Sequence, residues 1–323
     1  MNYAALMKDM LADADKAPAI FSPGPYWKPH ADLMIGLVER HGIEKFRAIP
    51  DKALIAFATG NQFKPPASRA LKLNDALRRL PVIGRFSDAL ARDVDIGYGR
   101  ARSEANYKLH VVFALLQEIA PDLAELKESS VGNPPVFSIY ERSFSEMFLL
   151  KLLEIALLRQ HVDFENIKNV VEVGGSYGLV GEILRKRYPA IRYTLVDLAP
   201  VAGFAQYYLS NVFPGGVSGF GEKTDAAIHI RCAHQLPEIG DHFDLFINVA
   251  SFQEMSAEQV AMYANFARTH SDIVYLNNNR KSGSNGLTTD DYARLLQPME
   301  RAASWNSTLH EGYQPVLFRM PGK

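Results

Sequence analysis

The spacing of apolar positions changes near the middle of the chain. From Asp32 to about Gln160 they recur at helical intervals, in segments divided by Pro and Gly, with few strand signals. Over Ser68 to Leu80, Leu73, Leu77 and Leu80 fall at i, i+4 and i+7, which predicts an amphipathic helix closed by Pro81. Leu109 to Ile119 predicts another, stopped by Pro121. Ser143-Phe-Ser-Glu146 has the spacing of a capping box, and Met147 to Leu158 after it is apolar almost all round, as a fully buried helix would be. Between them Glu128-Ser-Ser-Val-Gly-Asn-Pro-Pro135 is rich in turn formers and predicts a loop.

After residue 160 short β-rich runs alternate with helical ones. Strands are predicted at Asn169–Val173, Tyr193–Val196, Ala227–Ile230, Leu245–Val249, Ile273–Leu276 and Pro315–Arg319. Helices are predicted between most of them, among them Leu179–Arg187, Val201–Asn211 and Ala257–Thr269. Such alternation implies a doubly wound, mostly parallel α/β sheet covered on both faces, with the last strand as an antiparallel edge. The expected organisation is a helical N-terminal region, residues 1–160, followed by an α/β domain, residues 161–323.

Composition narrows the setting. With 47% hydrophobic and 22% charged residues the chain is an ordinary globular sequence, and a formal net charge of −1 gives no reason to expect nucleic acid or an anionic membrane. Lys64 to Lys108 carries ten Lys/Arg against five Asp/Glu, but its aromatics are not interleaved as a base-stacking surface requires, so a solvated helical face is expected. Cys232, the single cysteine, can form neither an internal disulfide nor a thiolate metal cluster. Lys8, Asp9, Asp13, Asp15 and Lys16 interrupt the N-terminus, so no secretory signal is read there. No later run approaches the roughly 20 apolar residues that span a bilayer. A cytoplasmic protein is expected.

The strongest local signal is Val170-Val-Glu-Val-Gly-Gly-Ser-Tyr-Gly-Leu-Val-Gly181, a β-branched strand running into a glycine-rich turn and then a helix. Glycines allow close backbone approach and positive φ, and a helix N-terminus offers free N–H groups. The carboxylate of Glu172 at the strand end would repel a pyrophosphate but suits a ligand bearing an ammonium group. Ser176 and Leu179 occupy places where the dinucleotide fingerprint G-x-G-x-x-G requires glycine. A tight structural turn and an NAD(P) oxidoreductase are the competing readings.

The spacing matches E/D-x-G-x-G-x-G, with Ser176 in place of the middle glycine, and from here the chain resembles the class I S-adenosylmethionine-dependent methyltransferases. That resemblance implies a Rossmann-like sheet and S-adenosylmethionine as cofactor, held by Glu172, Gly174, Gly175, Ser176 and Gly178. Arg192-Tyr-Thr-Leu-Val-Asp197 ends a second strand with an acid 25 residues beyond Glu172. There the superfamily holds the ribose hydroxyls, and a carboxylate accepts the two hydrogen bonds that a diol offers. Leu198 follows it. Arg231-Cys-Ala-His234, with Ala233 and His234, stands where the fold meets adenine; Ala250 and Ser251 close the fourth strand, facing the transferred methyl.

The string Phe243-Asp-Leu-Phe-Ile-Asn-Val-Ala-Ser-Phe-Gln-Glu-Met255, with Leu195-Val-Asp-Leu198, Tyr207-Tyr-Leu-Ser210 and the Glu128–Pro135 loop, is similar to a bacterial family of sugar O-methyltransferases over roughly residues 125 to 320. The resemblance implies methyl transfer to a hydroxyl of a small polar acceptor, a sugar or natural-product intermediate, by in-line displacement. A positioned base assists such a step by about 10²–10⁴-fold. Glu254 is the first candidate base; the spacing Ser251-x-x-Glu254 is equally that of a capping box. His234 is the second, against an adenine-side or surface role. Gln253, Asn277, Asn279 and Arg280 are candidates for holding acceptor hydroxyls, although an Asn run is equally a turn signal. His310 is a weaker prospect. Asn133-Pro-Pro-Val136 precedes the glycine motif and lacks the aromatic of the amino-methylating N-P-P-Y loop, so it reads as a turn. Asp290-Asp291 reads as a helix start, and no metal site is expected. The helical half is expected to act as lid and acceptor wall, with Tyr26, Trp27, Lys28, Tyr98, Arg100, Arg102 and Tyr107 as candidate contacts. A catalytically silent S-adenosylmethionine-binding subunit is the alternative from another class, and a homodimer is left open.

Overall fold

The computed structural model describes residues 1–24, 27–49, 51, 54, 107–280, 285–307 and 312–322. The helix expected over Ser68–Leu80, most of the basic stretch, and Tyr26, Tyr98, Arg100, Arg102 and His310 lie outside the described residues.

Helices α1 (Tyr3–Ala14), α2 (His30–His41), α3 (residues 107–119) and the short α4 (Pro121–Ala124) lead into a small antiparallel hairpin, β1 (Phe137–Ile139) and β2 (Arg142–Phe144). This hairpin interrupts an otherwise helical region. It also moves the cap of the next helix, α5 (Glu146–Leu158). Ser143 lies in β2, and Ser145 is the N-cap, its Oγ accepting from the Phe148 N–H at 3.2 Å. The helix is buried nearly all round, as its apolar sequence requires.

An eight-stranded sheet follows, in the order β5-β6-β4-β3-β7-β8-β10-β9. Its strands are β3 (Asn169–Val173), β4 (Arg192–Asp197), β5 (Val217–Ser218), β6 (Ile228–Cys232), β7 (Phe243–Val249), β8 (Ser271–Asn279), β9 (Glu300–Ser304) and β10 (Tyr313–Arg319). β3 pairs in parallel with β4 and β7, β6 with β4, and β8 with β7. β10 runs antiparallel to both β8 and β9. It is therefore an inserted strand, and the edge is β9, whose Glu300-Arg-Ala-Ala-Ser304 is mostly exposed and carries too little apolar periodicity to signal a strand.

Alternation along the strands builds two cores. Val170, Leu195, Ile230, Leu245, Ile273 and Leu317 face one side, where they join α5, α6 (Leu179–Arg187), α7 (Ala199–Val212) and residues of α1–α3 in a single cluster. Val171, Val196, Phe246, Val274 and Val316 face the other, under α8 (Ala257–His270) and α9 (Thr289–Leu295). Both faces are covered, which explains why the central strands read as near-continuous apolar runs. The N-terminal helices are part of the first core. Gly203 in α7 lets α1 approach so closely that a Cβ there would stand 2.5 Å from Met7 Cγ. Among the described residues no helix is long and apolar enough to cross a membrane.

Candidate active site

The parallel strands β3, β4, β6, β7 and β8 end along one edge of the sheet, and the turns leaving them carry the site residues expected from the sequence. After β3, Gly174, Ser176 and Gly178 have φ of 75°, 58° and 93°. After β7, Ala250 has φ of 58°. A non-glycine residue in the left-handed region costs of order 1–3 kcal/mol and persists only where its surroundings over-determine it. Ser176 is held by a 2.8 Å hydrogen bond from its N–H to Asp197 Oδ2, and Ala250 by one of 2.9 Å from its N–H to the Asn277 carbonyl. The two strained turns meet: a Cβ on Gly174 would lie 2.1 Å from Ser251 Oγ. The other glycines serve packing. A Cβ on Gly175 would stand 2.9 Å from Glu172 Oε2, one on Gly178 2.5 Å from Leu209, and one on Gly181 2.4 Å from the Tyr193 ring.

Glu172 is 3% exposed, and its Oε2 accepts the Tyr193 hydroxyl proton in a short hydrogen bond. Burial pushes its pKa up to about 7, against the Tyr193 bond and the Lys151 charge, while Glu154 adds to the rise. The carboxylate thus sits beneath the turn rather than on its open side, and its influence on a ligand's ammonium runs through the loop it supports. Asp197 ends β4, with Oδ2 accepting from Ser176 and Oδ1 from the Leu198 N–H at 2.7 Å. Burial lifts its pKa to about 7, opposed by these two N–H groups and reinforced by Glu172 and Glu254. A carboxylate offers about four acceptor sites, so two backbone bonds leave capacity for a diol.

Past β6, Ala233 begins a 3₁₀ turn, and His234 Nε2 lies 3.0 Å from Asp13 Oδ2 of α1. That contact holds the Asp13 carboxyl below its ordinary pKa. Past β7, Phe252–Glu254 form a single 3₁₀ turn in which the Ser251 side chain caps nothing. Glu254 Oε2 instead accepts the Trp27 indole N–H at 2.8 Å. The reciprocal capping pair at α8 is Ser256 with Gln259. Of the two readings left open for Glu254, capping therefore fails. Burial raises its pKa, and the Trp27 bond and His30 partly offset the rise.

The expected acceptor residues divide. Gln253 donates to the Tyr313 hydroxyl at 2.6 Å and accepts from the Asn279 N–H at 2.8 Å, so both ends of its amide tie strands together. Asn277 and Asn278 lie inside β8, not after it, 2% and 1% exposed. Asn277 donates to Glu154 Oε1 at 2.9 Å and Asn278 to Asn248 Oδ1 at 3.0 Å. Asn279 ends the strand, and the exposed Arg280 follows, its N–H bonded to the Gly312 carbonyl.

Three supporting residues escaped the sequence reading. Asn248, fully buried in β7, donates to the Val173 carbonyl at 2.9 Å and accepts from the Phe252 N–H at 3.1 Å, joining the two turns. An amide inside an apolar strand is a signal that could have found it. Arg47, also fully buried, pairs with Glu128, donates to Ser145 Oγ at 3.0 Å and lies 4.9 Å over the Tyr177 ring. Since Tyr177 belongs to the glycine turn, this pair supports the turn from behind; no local pattern around either Arg47 or Tyr177 announces it. Among the described residues no group of three or more His, Cys, Asp or Glu is placed to hold a metal ion.

The O-methyltransferase domain family model matches residues 132–221, a span that includes β3, the glycine turn, Asp197 and α7. No curated protein matches the chain. Among solved structures it is similar to the pyocyanin biosynthetic protein PhzM, with 14% identity over 53% of this chain and 57% of that one and a TM-score of 0.40. The match thus spans little more than half of that protein. It is similar to the mitomycin 7-O-methyltransferase MmcR at 14% identity over 80% and 74%, TM-score 0.41. It is similar, too, to the magnesium protoporphyrin IX methyltransferase of Synechocystis PCC 6803 solved with bound SAM, at 14% identity over 54% and 80%, TM-score 0.41. Residues 132–221 thus match an O-methyltransferase domain, and they lie in a mostly parallel sheet with helices on both faces.

Proposed function

We propose that the protein methylates a hydroxyl of a small polar acceptor, a sugar or hydroxylated natural-product intermediate, with Glu254 receiving the hydroxyl proton. The observation that carries this reading is the pair of strained, mutually contacting turns, Gly174–Gly178 and Ala250–Glu254, with Asp197 bonded to the first. In this reading Asp197 takes the ribose hydroxyls with its remaining acceptor sites. The 174–178 turn, backed by Glu172, receives the amino-acid tail. Leu198, Ala233 and His234 line the adenine side, and Ala250 and Ser251 the sulfonium side.

When bound, S-adenosylmethionine supplies an electrophilic methyl group; the chain's own residues supply alignment and proton removal. Glu254 stands at the end of β7, its carboxylate directed away from helix capping and held by a neutral donor. Burial raises its pKa, which makes it a stronger base than a solvated carboxylate. Asn279 and Arg280 face the acceptor at the open edge, with residues 1–160 as its wall and 161–323 as the cofactor-binding unit. The lone Cys232 accords with a reducing, cytoplasmic setting.

Calorimetric titration with S-adenosylmethionine and with NADH, followed by S-adenosylhomocysteine release against a panel of monosaccharides and phenols, tests the proposal. Binding of S-adenosylmethionine alone is expected, with release dependent on one acceptor class and about 10²–10⁴-fold slower in Glu254→Gln. A second reading, a silent cofactor-binding subunit, is favoured by one observation: Gln253, Asn277 and His234 are all engaged by protein groups. It predicts binding without release for any acceptor.

A further inference from the structure

Asp13 near the end of α1 and the described residues that follow it contact the turns past β6 and β7 and the start of α8. Asp13 contacts His234 past β6. Gln259, in the first turn of α8, donates from Nε2 to the carbonyls of Ile20 at 3.0 Å and Ser22 at 2.8 Å. Trp27 reaches Glu254 past β7, and Gly24 passes so close that a Cβ there would stand 3.1 Å from the Glu254 carbonyl oxygen. Glu254 is therefore contacted by residues far from it in the chain.

We propose that Trp27 is a positioning residue for the methyl transfer, its indole N–H fixing the Glu254 carboxylate by Oε2 and leaving Oε1 turned to the acceptor hydroxyl. The proposal rests on the reading of Glu254 as the base. The chemistry of the partner supports it. Indole is a donor only and carries no charge, so it orients a carboxylate without accepting its proton or neutralising it as Lys or Arg would. Among the described residues no hydrogen bond occupies Oε1. The Ser251–Glu254 turn leaves the side chain without the capping bond that would otherwise fix it. The other ionisable groups facing this carboxylate are His30 of α2, whose ring stands 5.6 Å from that of Trp27, and Asp197 at the end of β4.

The chain has two tryptophans, so a ¹⁵N-labelled sample shows two indole N–H resonances, with Trp305→Phe assigning the one from Trp27. The Trp27 resonance is expected to move with pH as Glu254 titrates, and to stop doing so in Glu254→Gln. A resonance that is independent of pH, or unaltered by Glu254→Gln, overturns the proposal without any assay of turnover. On the acceptor found by the release screen, Trp27→Phe is expected to lower turnover about tenfold, as loss of one hydrogen bond to a charged group does. It is also expected to shift the acid limb of the pH profile upward, with S-adenosylmethionine affinity unchanged. Turnover and profile both unchanged in Trp27→Phe reject the positioning role. Turnover intact in Glu254→Gln rejects instead the assignment of the base, so the two failures are told apart.

Discussion

Asp197 closes one turn and opens the next helix, bonding Ser176 with one oxygen and Leu198 with the other. Its removal should therefore loosen the glycine turn as well as delete the proposed diol acceptor. Asp197→Ala is expected to weaken S-adenosylmethionine binding by about 10–100-fold, the value of one or two hydrogen bonds to a charged group, measured by calorimetry. Unaltered affinity would remove Asp197 from the cofactor site. Gly178→Ala places a Cβ at φ 93° and 2.5 Å from Leu209, so destabilisation of about 1–3 kcal/mol is expected in urea titration. Asp197 was expected at the end of the second strand, 25 residues beyond Glu172, and the structure places it there, bonded to the glycine turn. Ser251-x-x-Glu254 has one spacing and two meanings; the structure removes the capping one, since the Glu254 carboxylate accepts from the indole of Trp27, 227 residues away. No local pattern carries that information.

Elements were legible where burial was two-sided. β3 was read to the residue because Asn169-Val-Val-Glu-Val173 has little choice, and α5 because it is apolar all round. β8 was read short, since Asn277-Asn-Asn279 looks like a turn until Glu154 and Asn248 supply buried partners for its amides. β9 was missed because an exposed edge strand needs no apolar face. At this scale the buried Arg47–Glu128 pair makes a distinct prediction. Arg47→Met leaves Glu128 charged and 4% exposed, and the expected loss is about 3–5 kcal/mol of stability by chemical denaturation. Adding Glu128→Gln removes the stranded charge and should recover part of that loss; no recovery would mean that the guanidinium acts mainly by packing against Tyr177 and Tyr208.

For the molecule as a whole, the buried acids set a pH dependence with a definite sign. Glu172 and Asp197 hold their protons up to about pH 7 when folded, whereas the unfolded chain releases them near 4.5 and 3.8. Between those limits the folded state binds more protons, so their contribution to stability is full at low pH and falls as pH rises towards 7. Asp122, held low by Arg159 and Arg187, acts oppositely, its contribution being lost as pH falls below 3.8. Thermal unfolding of the ligand-free protein should thus show Tm declining from pH 5 to pH 7, with Glu172→Gln flattening the slope; an equal slope in the variant would mean that Glu172 is already ionised. The position of β10 has a consequence for biosynthesis. β9 is made first, but among the described residues it touches the sheet only through β10, and β8 has no other strand on that side. A nascent chain that has not yet delivered residues 313–319 exposes the open edge of β8, Ser271–Asn279, as a template for foreign strands. Folding of this half therefore waits on residues 313–319. Stalling or truncation just before residue 313 should send the product to chaperones or into aggregates.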